Sequence, residues 1–351
     1  MILSRGGVTY RLSMKKLCFV SFEEVVSLEN LCEAWQEFIR GKRNKKDVLV
    51  FMRNLGDRIT DLHLDLCHGV YQHGSYFHFS INDPKPRNIH KATVRDRLVH
   101  HALHRKLYPY FAPSFIADSF SCQAGKGLHR AIDRFRLMAG RVSENHTKTC
   151  WVLKCDIRKF FASVDHTVLL EVLRTSIPDQ RLVDLLERVI RSFEASPHKG
   201  IPLGNLTSQL FSNIVMNEFD RFVKDELCFK NYIRYADDFV FLSEDKTTLI
   251  DLLPKVQAYL IERLTLSLHP DKIILQTFAS GVDFLGWIHF PHHRIPRTKT
   301  KKRMLKRIEE NPKRETLQSY LGLIKHGDAY HLSCDMENLY WLLSAGIIKD
   351  A

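Results

Sequence analysis

Apolar residues at helical spacing dominate the first fifth of the chain. Leu28, Leu31, Trp35 and Phe38 recur at three- and four-residue intervals, and Ser21 followed by Glu24 has the form of a capping box, so residues 14 to 72 are predicted as helices. The period then changes. Tyr76 to Ser80 alternates like a strand, a basic Pro84-Lys-Pro-Arg-Asn segment follows, and Val94 to Leu107 reads as a helix carrying Arg95, Arg97, His100 and His101. A continuous apolar run predicts a strand over 151–157, then helices between His166 and Glu194 and a helix from about Asn205 to Leu227. Two short apolar runs, Ile233–Tyr235 and Phe239–Leu242, read as a buried hairpin. A helix near Thr247–Arg263, strands near Lys272–Phe278 and Val282–Phe290, and helices near Lys299–Glu310 and Thr316–Lys325 complete the pattern.

The hairpin holds the candidate chemistry. Its tip carries adjacent carboxylates, Asp237 and Asp238, which repel unless a cation binds there. A third acid, Asp156, ends the strand over 151–157. Oxygen-only ligands favour a hard ion that draws its remaining ligands from water and substrate phosphates, hence Mg²⁺ rather than zinc, and phosphoryl or nucleotidyl transfer is the matching reaction. The plainer alternative makes Asp238 a turn cap and Asp156 a solvated strand end. Asp165 precedes a helix and Asp220 lies within one, so both are expected in cap or surface roles.

Further segments carry a family resemblance. Tyr235-Ala-Asp-Asp238 resembles the YxDD motif of reverse transcriptases, and Asp156 with Phe161 five positions on resembles their first palm motif. Lys85-Pro-Arg87 and Arg95-Asp-Arg97 resemble finger motifs, Gly204-Asn-Leu-Thr-Ser-Gln209 the motif before the hairpin, and Lys272 with Asp283-Phe-Leu-Gly-Trp287 the later palm motifs. Within that family the chain is most similar to the enzymes of diversity-generating retroelements. Retroviral and group II intron enzymes have Gln before the motif glycine, whereas this chain has Leu203 in Ile201-Pro-Leu-Gly-Asn-Leu-Thr-Ser-Gln209, and Phe284–Arg294 resembles that group's palm-to-thumb junction. A group II-like or CRISPR-associated reverse transcriptase is the alternative enzyme, and a maturase-like RNA-binding protein the alternative outside catalysis.

The resemblance implies an α+β, right-hand polymerase fold with fingers, ferredoxin-like palm and short helical thumb. Its expected divisions are an N-terminal helical region at 1–75, fingers at 76–150, palm at 151–290 and a basic thumb at 291–351. The order β-α-β-β-α-β, obtained by collapsing paired helices, agrees with such a palm. It further implies two Mg²⁺ ions, with Mn²⁺ as a substitute, at Asp156, the Ile157 carbonyl, Asp237 and Asp238. Lys85 and Arg87 would meet the incoming triphosphate, Phe161 would act as a steric gate against a ribose 2′-OH, and Tyr235 would support the primer end, while Phe160 is the core candidate. Leu203, Gly204, Gln209 and Lys272 complete the implied substrate-binding set. Template RNA, primer and cDNA, dNTPs and a small basic accessory protein are the implied partners. Nucleic acid is expected at Lys126, Arg297, Lys299, Lys301, Lys302 and Arg303. For Arg95 a phosphate contact and a helix-surface ion pair stand level.

Composition narrows the partner. A net charge of +12 and a pI near 9.3 suit a polyanion, and eight Lys or Arg with no acid between Pro291 and Arg307 favour nucleic acid over a membrane face. An apolar content of 44% excludes a disordered chain. Eight cysteines without a CxxC pair suggest free, mostly buried thiols in a reducing compartment. With no leader and no run of about 18 apolar residues, a cytoplasmic protein is expected. Met14 is a credible alternative start.

Overall fold

The computed structural model describes residues 17–81 and 86–345. Lys85 and the question of Met1 against Met14 lie outside the described residues. In chain order the helices and strands are α1 (Phe22–Val26), α2 (Leu28–Phe38), α3 (Lys46–Met52), α4 (Leu55–Cys67), β1 (Phe77–Ile81), β2 (Arg87–Lys91), α5 (Val94–Phe111) and α6 (Leu128–Val142). There follow β3 (Trp151–Asp156), α7 (Phe160–Ser163), α8 (His166–Arg174), α9 (Gln180–Arg191), α10 (Leu206–Arg221), β4 (Tyr232–Tyr235), β5 (Asp238–Ser243) and α11 (Lys246–Leu264). Last come β6 (Ile274–Thr277), β7 (Val282–Phe284), β8 (Trp287–His289), β9 (Arg294–Pro296), α12 (Thr298–Glu310), α13 (Arg314–Ile324) and α14 (Tyr330–Ser344).

The chain forms two compact units, each assembled from separated segments. The first takes 1–125, 157–229 and 255–269. Its entry helix is fixed by the expected capping box, in which Ser21 Oγ accepts from the Glu24 amide at 3.2 Å and Glu24 Oε2 accepts from the Ser21 amide at 2.9 Å. Leu31, Trp35 and Phe38 are buried as their spacing requires, whereas Leu28 is left exposed. Helix α5 packs against α2 and α10. The latter is enclosed on nearly every side, and its polar residues are buried with partners: Asn213 Nδ2 donates to the Ser121 carbonyl at 3.0 Å, and Thr207 Oγ1 lies 3.2 Å from His100 Nδ1. Asp220, expected as a cap or surface residue, is fully buried for the same reason. Asp165 caps α8, accepting from the Thr167 and Val168 amides.

The second unit, 126–156, 230–254 and 270–351, holds a four-stranded antiparallel sheet in the order β4-β5-β3-β6. That is the ferredoxin-like strand order, with β3 and β5 central. Helix α6 packs on β4 and β5, and its Phe135 ring lies 5.6 Å from that of Phe278 and 5.1 Å from that of Phe284. The predicted strand over 282–290 is instead part of a separate three-stranded meander, β7-β8-β9, because Leu285 and Gly286 both take positive φ and turn the chain back. Helices α12, α13 and α14 share a small core of Met304, Ile308, Leu317, Ile324, Leu332 and Met336. The third of these helices, like α6 and β2, goes beyond the sequence expectation. All eight cysteines are free, but only Cys18, Cys150 and Cys155 are buried, which corrects the expectation of mostly buried thiols. Among the described residues no helix is long and apolar enough to cross a membrane.

Candidate active site

Strand β3 is apolar up to its last residue, so burying Val152, Leu153 and Cys155 in the sheet brings Asp156 to its end. Antiparallel pairing with β5 places Asp156 directly opposite Asp238. Cα atoms in such a pair are only about 4.5–5.5 Å apart, and like charges in that position repel. Asp237 sits on the two-residue connection between β4 and β5, following Ala236, which takes φ +56°. A non-glycine residue in the left-handed region stores strain, here at the tip that displays the acids. Arg234 on β4 is fully buried and its Nη1 donates to the Ala236 carbonyl at 3.1 Å, bracing the turn from beneath. Sequence reading missed this brace, although a cation inside an otherwise apolar strand beside two acids is a visible signal.

The crowding has an electrostatic consequence. Burial, then the neighbouring Asp238 and Asp156, push the Asp237 carboxyl up to about 6, with Lys272 opposing. Lys272 stands on the turn before β6 and its Nζ lies 2.9 Å from Asp156 Oδ1, so one cation already answers the excess negative charge. Lys154, two residues before Asp156, has its pKa lowered chiefly by burial and donates to the Asp283 carbonyl at 2.7 Å. The donor set is all oxygen and short of positive charge, which fits a hard divalent ion. Among the described residues no three His, Cys, Asp or Glu side chains converge as a ready-made metal cage. The three expected acids are thus related by strand register, Asp156 opposite Asp238 with Asp237 on the adjoining turn, and not as a closed cluster of three side chains.

The remaining candidates fall into place separately. Tyr235 is half-buried and registers opposite Asp238. In the first unit Ile157 bridges to Leu268, and Phe161 is half-buried with its carbonyl accepting from Ile201 N at 2.8 Å, while Phe160 is 2% exposed. Arg87 begins β2 and is exposed. The Leu203 carbonyl accepts from the His90 amide at 3.0 Å, Gly204 takes φ +106°, and Gln209 is exposed on α10. Lys126 is half-buried just before α6, whose start at Gly127 has φ +128°. Arg95 pairs with Asp65 at 2.5 Å and lies over the Tyr71 ring, so its geometry is that of the helix-surface ion pair. Arg297 is likewise engaged, by Asp283. Lys299 and Lys302 are exposed on α12, with Lys301 and Arg303 half-buried beside them.

Residues 81–289 match the family model described as reverse transcriptase (RNA-dependent DNA polymerase), well over half of the chain. The chain belongs to the reverse transcriptase family. Its relatives include protein YkfC of Escherichia coli, 27% identical over 62% of this chain and 65% of that protein. The group II intron-encoded protein LtrA of Lactococcus lactis is 24% identical over 40% of this chain and 24% of that protein. The chain thus spans less than two thirds of either relative. Among solved structures, the apo telomerase from Candida tropicalis is 12% identical with a TM-score of 0.47, covering 78% of this chain and 57% of that one. In the terms of this family, whose members use divalent metal ions, the ferredoxin-like sheet is the reverse transcriptase palm.

Proposed function

We propose that this chain is an RNA-directed DNA polymerase of the diversity-generating retroelement type, copying a template-repeat RNA into error-prone cDNA. The observation that carries the polymerase reading is Asp156 in register with Asp238 on the central palm strands, with Asp237 on the adjoining turn. Asp156, Asp237 and Asp238, with the Ile157 carbonyl, are the residues that would hold two divalent ions, Mg²⁺ or Mn²⁺ in its place. Bound there, such ions would favour deprotonation of the attacking hydroxyl and stabilise the charge that builds on the leaving oxygen. The primer 3′-oxygen gives up its proton to solvent and attacks the α-phosphorus of the dNTP, the bond from that phosphorus to the bridging oxygen breaks, and pyrophosphate departs. Lys272 holds the Asp156 carboxylate in place, and Arg87 with Lys85 meets the triphosphate. Phe161 fills the space a ribose 2′-OH would need. Lys299, Lys301 and Lys302 face the nucleic-acid backbone, and a small basic protein assists.

Leu203 supports the diversifying role. A side chain that offers only apolar contact next to the nascent pair discriminates less by polar geometry than the Gln of other reverse transcriptases. Leu203→Gln should lower misincorporation opposite template adenine more than opposite the other bases, read by sequencing cDNA from both proteins. An unchanged adenine error rate removes Leu203 from the mechanism, weakens the diversifying role with it and leaves the polymerase standing. The similarity to the group II intron-encoded protein favours the second reading, an intron-type reverse transcriptase, for which flanking DNA would lack a paired template and variable repeat.

A further inference from the structure

Asn205 occupies the N-cap position of α10, where an Asn ordinarily turns its side-chain oxygen onto the free amides of the first helical turn. It makes no such bond. Its Nδ2 instead donates to the carbonyl of His90 on β2 at 3.0 Å, while the His90 amide donates to the Leu203 carbonyl at 3.0 Å. Both backbone groups of His90 are therefore held by the 203–205 segment, which lies against β2 as a third strand would. Gly204 makes the approach feasible: a Cβ there would stand 2.9 Å from Ile89 Cγ2. Only the amide end of Asn205 can face a carbonyl, so its Oδ1 points the other way, buried and without a partner, in a residue 2% exposed. An unpaired buried acceptor and a forgone cap are both destabilising. A residue chosen for helix stability alone would turn its oxygen onto the helix.

The geometry points to Asn205 as a positioning residue that locks the finger ribbon bearing Arg87 onto the Leu203–Gly204 loop, so that the triphosphate contact and the templating-pair contact move as one body. Arg87 lies on the same short strand as His90, and Leu203 precedes Asn205 by two residues, so the two bonds at His90 tie both contacts to one point. This rests on the polymerase reading, in which those two residues meet the incoming nucleotide.

Asn205→Asp separates the clamp from the cap. The carboxylate is as good an N-cap as Asn but cannot donate to the His90 carbonyl, so the clamp is lost while a cap for α10 remains available. Primer extension with a full-length chain, Mg²⁺ and a homopolymer template should show the dNTP KM raised about tenfold, the factor that 1.4 kcal/mol represents, with kcat changed by less than about threefold. Hydrogen exchange at the 87–91 amides should accelerate in step. Asn205→Ala, neutral and smaller, should reproduce both effects. A purely structural Asn205 predicts a lowered melting temperature in the Ala variant and an unmoved KM in the Asp variant; that result, or unaltered 87–91 protection in both, overturns the clamp. Failure of the unaltered chain to extend any primer overturns the polymerase reading instead.

Discussion

Asp237→Asn should stabilise the metal-free protein at the same time as it abolishes metal-dependent synthesis. The carboxyl is raised from 3.8 to about 6 by burial and by Asp238 and Asp156, so the folded state holds its proton more tightly than the unfolded state does. Below pH 3.8 both states are protonated and nothing is lost. As pH rises from 3.8 to about 6 the unfolded chain releases its proton first, so stability falls across that window and stays lowered above it. At about 1.36 kcal/mol per pH unit the full difference is about 3 kcal/mol, and partial solvent access and side-chain relaxation reduce the expected gain to about 1–2 kcal/mol. Urea unfolding of both proteins in EDTA, at about pH 5 and about pH 7.5 on either side of the raised pKa, measures it. The Asn variant should be more stable at the higher pH, by a margin that narrows at the lower, and Mg²⁺ should stabilise the unaltered protein more than the variant. An equal difference at the two pH values, or none, refutes the account of a carboxyl strained by its neighbours.

Four further outcomes follow from the same structure. Asp238→Asn should abolish cDNA synthesis while RNA retention on a filter persists, because it removes a carboxylate and leaves the basic thumb unaltered; near-normal extension would remove Asp238 from the reaction. Phe161→Ala should raise ribonucleotide incorporation relative to deoxynucleotide in competition assays, and unchanged sugar discrimination would return the ring to a packing role. Replacing Lys299, Lys301 and Lys302 together by Ala should flatten the log-affinity against log-salt slope by roughly 0.7–0.9 for each phosphate no longer neutralised, whatever the RNA sequence. Gly327→Ala would bring a Cβ within 2.1 Å of Trp287 Cζ3 and 2.8 Å of the Arg294 carbonyl, so calorimetry should show a destabilisation of about 1–3 kcal/mol.

Whether a residue is legible in advance depends on whether its surroundings are local. The acidic hairpin and the strand ending in Asp156 are legible because apolar runs of strand length bracket charges that have no reason to be there otherwise. Ser21 and Glu24 are legible because a capping box is closed within four residues. β2 is not, since Arg87-Asn-Ile-His-Lys91 is polar and becomes a strand through its ladder with β1. Asp220 misleads because the environment that buries it comes from elements distant in sequence. Helix α6 differs from both: Ala131, Ile132, Phe135, Met138 and Ala139 repeat at helical intervals and bury as that pattern requires, so its signal is local and legible. Asn205 has the sequence of an ordinary cap, and only the structure shows the side chain turned away from its helix.

The register of β3 also sets a clock on the molecule's birth. Asp156 pairs with Asp238, 82 residues downstream, and the other edge of β3 waits for Ile274–Thr277. At about 5–20 residues per second of translation, the central strand emerges roughly 4–16 seconds before its first partner. During that interval Val152, Leu153 and Cys155 are a naked apolar strand with both edges open to other chains. A ribosome that stalls anywhere before β5 leaves a product with no juxtaposed acids at all. The carboxylate row is thus assembled late and all at once, and nascent chains of this protein should depend on holding factors more than its size alone would suggest.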